Sequence, residues 1–135
     1  MTVACQERIL VIEDEEDLAL ILQFRLKSAG YEVQIEPLGA GGLRAAATQR
    51  PALVILDLRL PDLDGHEVCR ALRDRYSHTD LPILMFTVMD DPSEDIHSFA
   101  AGADAYLPKS TEPSQLLDTV ERLLRGEEIP VGPRF

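Results

Sequence analysis

Five short apolar runs, each leading into a stretch with helical spacing, limit what this chain can fold into more than any other feature. The run 9–12 is β-branched and closes on acids, as a parallel strand buried on both faces does. Leu18, Ile21, Leu22 and Leu26 then recur at helical spacing up to Gly30, a C-terminal stop. A weak alternation over 31–35 predicts a second strand. The alanine-rich stretch 43–49 predicts a second helix ending before Pro51, with the glycine-rich segment 39–42 fraying ahead of it. The run 52–56 is a third strand, and Asp64 caps a helix that has Glu67 at the capping-box position and Val68 and Leu72 facing inward. A fourth strand at 82–87 precedes a cap at Asp91 with Pro92 at the first helical position; Ile96, Phe99 and Ala100 form the expected buried stripe before Gly102. Strand 105–107 and an amphipathic helix marked by Leu116, Val120, Leu123 and Leu124, closed by Gly126, complete the series. Strict alternation predicts an α/β fold, a parallel sheet with helices on both faces, because right-handed crossovers leave few other topologies.

With 135 residues there is room for one domain. A formal net charge of -11 repels nucleic acid and anionic lipid, so neither direct nucleic-acid binding nor a membrane surface is expected. No apolar run approaches a bilayer span, and Cys5 and Cys69 lie too far apart to suggest zinc or a disulfide framework; a cytoplasmic, reducing compartment is the expectation. Cys69 shares a helix face with Val68 and Leu72 and is expected in the core.

Ligands of open parallel sheets bind beyond the carboxyl ends of the strands. Here strand one ends in Glu13 and Asp14, strand three in Asp57, strand four in Thr87, and strand five runs through Pro108 into Lys109. Singly, each has an ordinary explanation: acids cap helices, threonine suits strands, and lysine is solvated. All five at successive strand ends point to a site. Two carboxylates about 4 Å apart repel by roughly 4 kcal/mol at an effective dielectric of 20, so Asp14 and Asp57 call for a divalent cation. An all-oxygen site suits Mg2+, which also accepts a phosphate. Lys109 and the Thr87 hydroxyl are then placed to hold phosphoryl oxygens while Asp57 attacks.

Four blocks, 9–14, 56–65, 86–87 and 102–109, resemble response-regulator receiver domains in order and spacing, and the likeness extends over residues 8–126. The resemblance implies a flavodoxin-like, doubly wound five-stranded sheet of order 2-1-3-4-5 with five helices, in a receiver domain over 7–126 followed by a tail or linker at 127–135. It implies phosphorelay signalling rather than an enzyme: Asp57 accepts a phosphoryl group from a sensor histidine kinase or phosphotransfer protein. Mg2+ is held by Asp14, Asp57 and the Arg59 backbone carbonyl, with Glu13 acting through metal-bound water. Thr87 is the switch hydroxyl, Tyr106 the aromatic that moves with it, and Lys109 the phosphate-pairing cation. Output passes through the fourth helix, fifth strand and fifth helix, to a downstream protein, a C-terminal effector domain or a homodimer partner.

Three positions depart from the family pattern. Ser110 follows Lys109 where a proline in a cis peptide bond is usual, Val88 follows the switch hydroxyl where a small residue is usual, and Glu13 stands where many relatives have aspartate. Glutamate is also common at the position of Glu13, and no loss is expected from it; Ser110 and Val88 keep open a pseudo-receiver that acts without phosphorylation. An aspartyl-phosphate hydrolase is disfavoured, since Arg59 occupies the position where such enzymes carry a second acid. His66, His78 and His97 are expected to be surface or packing residues, and Asp62 and Asp64 to cap the third helix.

Overall fold

In the computed structural model, which describes residues 7–88 and 94–129, ten elements alternate along the chain. They are β1 (Arg8–Ile12), α1 (Glu16–Ser28), β2 (Glu32–Glu36), α2 (Gly39–Thr48), β3 (Leu53–Leu56), α3 (Gly65–Arg75), β4 (Ile83–Thr87), α4 (Glu94–Ala101), β5 (Ala105–Pro108) and α5 (Pro113–Leu124). The strands form one parallel sheet in the order β2-β1-β3-β4-β5. Side chains alternate across a strand, so each central strand feeds two cores. Ile9, Val11, Leu53, Ile55, Leu84 and Phe86 pack under α1 and α5 with Leu22, Leu26, Leu116, Val120 and Leu123. Leu10, Ile12, Val54, Leu56, Ile83 and Met85 pack under the other helices with Ala46, Val68, Cys69, Leu72 and Ala101. Cys69 is in the core as expected, and its burial pushes the thiol up to about 11. Gly30, Gly102 and Gly126, the expected helix stops, all have positive φ.

Four expectations are corrected. α2 begins at Gly39, well ahead of 43, and the glycines do not fray: Gly39, Gly41 and Gly42 are buried. A Cβ on Gly42 would stand 2.3 Å from Ile12 Cδ1, so glycine is what lets α2 lie against β1. Asp62 caps α2 rather than α3, its two carboxylate oxygens accepting from the amides of Gly39 (2.8 Å) and Ala40 (3.0 Å). Asp64 caps α3 as expected, accepting from the His66 amide at 2.8 Å. In α1, Ile21 is 49% exposed, and the inward face is Ala19, Leu22 and Leu26. In α4, Ile96 is 65% exposed and Ala100 is also outward, whereas Ser98 and Ala101 are buried and Phe99 is half-buried. A buried serine is tolerable because Ser98 Oγ lies 3.3 Å from His66 Nε2. The expected cap at Asp91 and Pro92 lies outside the described residues, as does Cys5.

The amino-terminal side of the sheet is tied by Arg73 of α3, whose guanidinium donates to the carbonyls of Leu81 and Gly102 and pairs with Asp104 at 2.9 Å. His78 also contacts Asp104, at 2.5 Å. Among the described residues there are no cis peptide bonds, Lys109–Ser110 included, and no helix is long and apolar enough to cross a membrane.

Candidate functional site

The parallel ladder continues one residue past the strands and thereby assembles the carboxyl edge. The Glu13 amide donates to Glu36 O (3.0 Å), the Asp57 amide to Ile12 O (3.1 Å) and the Lys109 amide to Thr87 O (2.8 Å). With Ile12 opposite Leu56 and Thr87 opposite Pro108, the residues that end β1, β3, β4 and β5 meet in one pocket. Glu13 and Asp57 are each 3% exposed, Thr87 is fully buried, and Asp14 is exposed at the mouth.

The two Asp57 oxygens have different partners. Oδ2 accepts from Lys109 Nζ at 3.0 Å; Oδ1 accepts from the Thr87 hydroxyl at 2.8 Å and from the Arg59 amide at 3.2 Å. Lys109 Nζ also lies 3.0 Å from Glu13 Oε1, and Glu13 Oε2 accepts from the Glu15 amide at 3.0 Å. Burial, together with repulsion from Asp57, raises the Glu13 carboxyl to about 7, although the Glu15 amide and Lys109 pull the other way. Burial alone would depress Lys109, but its hydrogen bonds to Asp57 and Glu13 and their charges raise it above its ordinary value, so the ammonium stays charged. One ammonium shared between two buried carboxylates leaves the pocket short of positive charge.

The donor set fits a hard cation. Glu13, Asp14 and Asp57 can each offer a carboxylate oxygen, and those oxygens lie within 4.8 Å of one another. The loop below them is set by Gly65 at the start of α3, where a Cβ would stand 2.4 Å from Asp57 O and 2.5 Å from Leu58 Cα. Of the other residues singled out in the sequence, Tyr106 is nearly buried in the core beneath α2, α3 and α4, and Val88 is half exposed. His66, in the first turn of α3, packs toward α4: Nδ1 is 3.4 Å from Asp64 Oδ1, and its ring meets that of His97 edge-on at 6.2 Å. His78 lies away from the site, beside Asp104.

One neighbour was missed in the sequence. Glu15 Oε2 is 3.3 Å from Lys109 Nζ, and the only hint was its place in the unbroken acidic run from Glu13 to Asp17.

Fold and pocket together define a doubly wound α/β domain whose carboxyl edge carries an acidic pocket around the Lys109 ammonium, with carboxylates that could hold a cation. Residues 9–121 match the family model of the response regulator receiver domain. The chain is 38% identical over 123 residues to the alkaline phosphatase synthesis transcriptional regulatory protein PhoP of Bacillus subtilis, covering 91% of this chain and 50% of that protein. It is 41% identical to the response regulator MprA of Mycobacterium sp. (strain KMS), covering 93% of this chain and 54% of that one. Among solved structures, the BeF3-activated N-terminal receiver domain of Klebsiella pneumoniae RstA superposes with a TM-score of 0.82 at 32% identity, over 87% of this chain and 98% of that one. The chain therefore belongs to the response regulator receiver domain family of two-component signalling. It spans about half the length of the curated relatives it matches.

Proposed function

We propose that Asp57 is the phosphoacceptor of this receiver domain, charged from the phosphohistidine of a sensor histidine kinase or phosphotransfer protein. The observation that carries this reading is the Asp57 carboxylate itself, buried at the carboxyl edge with Lys109 on one oxygen and Thr87 on the other. In the transfer an Asp57 oxygen bonds to phosphorus while the phosphorus–nitrogen bond breaks, its electron pair returning to the imidazole. Lys109 and the Thr87 hydroxyl, already beside the attacking carboxylate, then turn their hydrogens to the phosphoryl oxygens. Glu13, Asp14, Asp57 and the Arg59 backbone carbonyl would hold Mg2+, which when bound neutralises the charge that otherwise opposes an incoming phosphoryl group. The chain acts once per phosphoryl group, as an acceptor that assists its own modification rather than as an enzyme.

Residues 7–126 form the receiver unit in this reading, and 127–135 a tail or linker. Thr87 and Tyr106 couple the site to an output surface made by α4, β5 and α5, which engages a downstream protein, a C-terminal effector domain or a second copy of the chain. A cytoplasmic setting suits the kinase partner, and the charge of -11 argues against direct nucleic-acid contact by this domain.

Intact-mass analysis after incubation with acetyl phosphate, with and without Mg2+, beside Asp57→Ala, tests the reading. One phosphoryl group, gained only with Mg2+ and lost with Asp57, supports it. No adduct and no binding of beryllofluoride would favour a phosphorylation-independent interaction module.

A further inference from the structure

Lys109 has three ammonium hydrogens, and three carboxylates surround it: Glu13 Oε1 and Asp57 Oδ2 at 3.0 Å each, and Glu15 Oε2 at 3.3 Å. An ammonium has no fourth donor, so a phosphoryl oxygen arriving at Asp57 can bond to Lys109 only by displacing one of them. Glu15 is the partner most readily displaced. Its contact is the longest and its side chain is 62% exposed, so water can take over its solvation. Until it is displaced it occupies the third hydrogen and holds a negative charge at the mouth of the pocket, across the path of an anionic donor. Helix capping does not account for it, because Glu15 sits at the N-cap of α1 without a side-chain cap hydrogen bond.

We propose that Glu15 is a positioning residue, acting through Lys109, that sets which phosphoryl donors the site accepts by charge. It slows uptake from small dianionic donors relative to donors of lower negative charge. This rests on Asp57 being the phosphoacceptor. With acetyl phosphate, an Asp57 oxygen bonds to phosphorus and acetate leaves with the electron pair of the broken phosphorus–oxygen bond. With phosphoramidate, ammonia leaves from a nitrogen that is already protonated.

The test is the rate of phosphoryl uptake, read by intact mass with Mg2+ present, for the wild-type chain, Glu15→Gln and Glu16→Gln, with each donor at low and high salt. Glu15→Gln should raise the acetyl phosphate rate about two- to fivefold, the size of effect an exposed ion pair carries. It should leave the phosphoramidate rate much less changed, and the gain should shrink at high salt. Glu16→Gln alters net charge equally from the neighbouring exposed position, and should leave the ratio of the two rates at its wild-type value. Equal rates for wild type and Glu15→Gln, one common factor for both donors, or the same effect from Glu16→Gln would overturn the inference while wild-type uptake leaves the role of Asp57 intact. No uptake by any of the three chains would overturn both.

Discussion

The hydroxyl of Thr87 donates to Asp57 Oδ1 over 2.8 Å between two residues that are 0% and 3% exposed. The bond joins the end of β4 to the end of β3, so a change in the charge of Asp57 is felt directly at β4.

Thr87→Val keeps the shape and removes only that donor. Asp57 Oδ1 retains the Arg59 amide, so the loss is one of two hydrogen bonds to that oxygen. Urea unfolding should show a loss of about 1–2 kcal/mol, since a bond to a charged acceptor is worth more than a neutral one but the new methyl packs. Phosphoryl uptake should persist, while phosphorylation-dependent NMR shifts in α4, β5 and α5 should shrink.

Stability without metal should fall as pH rises from the ordinary glutamate value of 4.5 to about 7. Glu13 is raised in the folded state, so across that window the folded chain binds more protons than the unfolded one, and each step up in pH favours unfolding. The contribution is complete below the window and gone above it. Between about pH 5 and about pH 8 the loss should approach roughly 2 kcal/mol after allowance for screening at the pocket mouth. Denaturant unfolding at the two values measures it, and Glu13→Gln should flatten the slope.

Asp14 is the exposed member of the carboxylate trio, so Asp14→Asn alters cation binding with little effect on folding. Mg2+ affinity by calorimetry should fall about tenfold to a hundredfold. Metal-free stability should stay within about 0.5 kcal/mol of wild type, as for other exposed substitutions.

Gly65→Ala should cost about 3 kcal/mol, because the new methyl meets backbone atoms of Asp57 and Leu58 that cannot turn aside as a side chain could. The same shift displaces the loop that carries Asp57, so phosphoryl uptake should slow well beyond what the loss of stability explains. Thermal unfolding and uptake measured on one sample separate the two effects.

The sheet was legible in the sequence because β1, β3 and β4 are buried on both faces, leaving uninterrupted apolar runs such as Ile9 to Ile12. The strand-end residues were legible for a related reason: a parallel sheet presents its carboxyl ends together, so Glu13, Asp14, Asp57, Thr87 and Lys109 had to converge. Helix faces were less so. Ile21 and Ile96 are apolar yet outward, which costs little, while Ser98 is polar yet buried because His66 reaches it across from α3. The start of α2 depended on Asp62, remote in sequence, and the part played by Glu15 depended on Lys109 arriving from the far end of the chain. Such side-chain meetings leave no periodic trace.

The central claim is that Asp57, and no other carboxylate of this acidic pocket, carries the phosphoryl group. Borohydride reduction of the chain after acetyl phosphate and Mg2+ treatment, followed by peptide mass mapping, tests it directly, because reduction converts an aspartyl phosphate to homoserine. Homoserine at position 57 alone is the predicted result. Homoserine at Asp14 or Asp62 instead, or none in a chain whose intact mass shows the adduct, would contradict it.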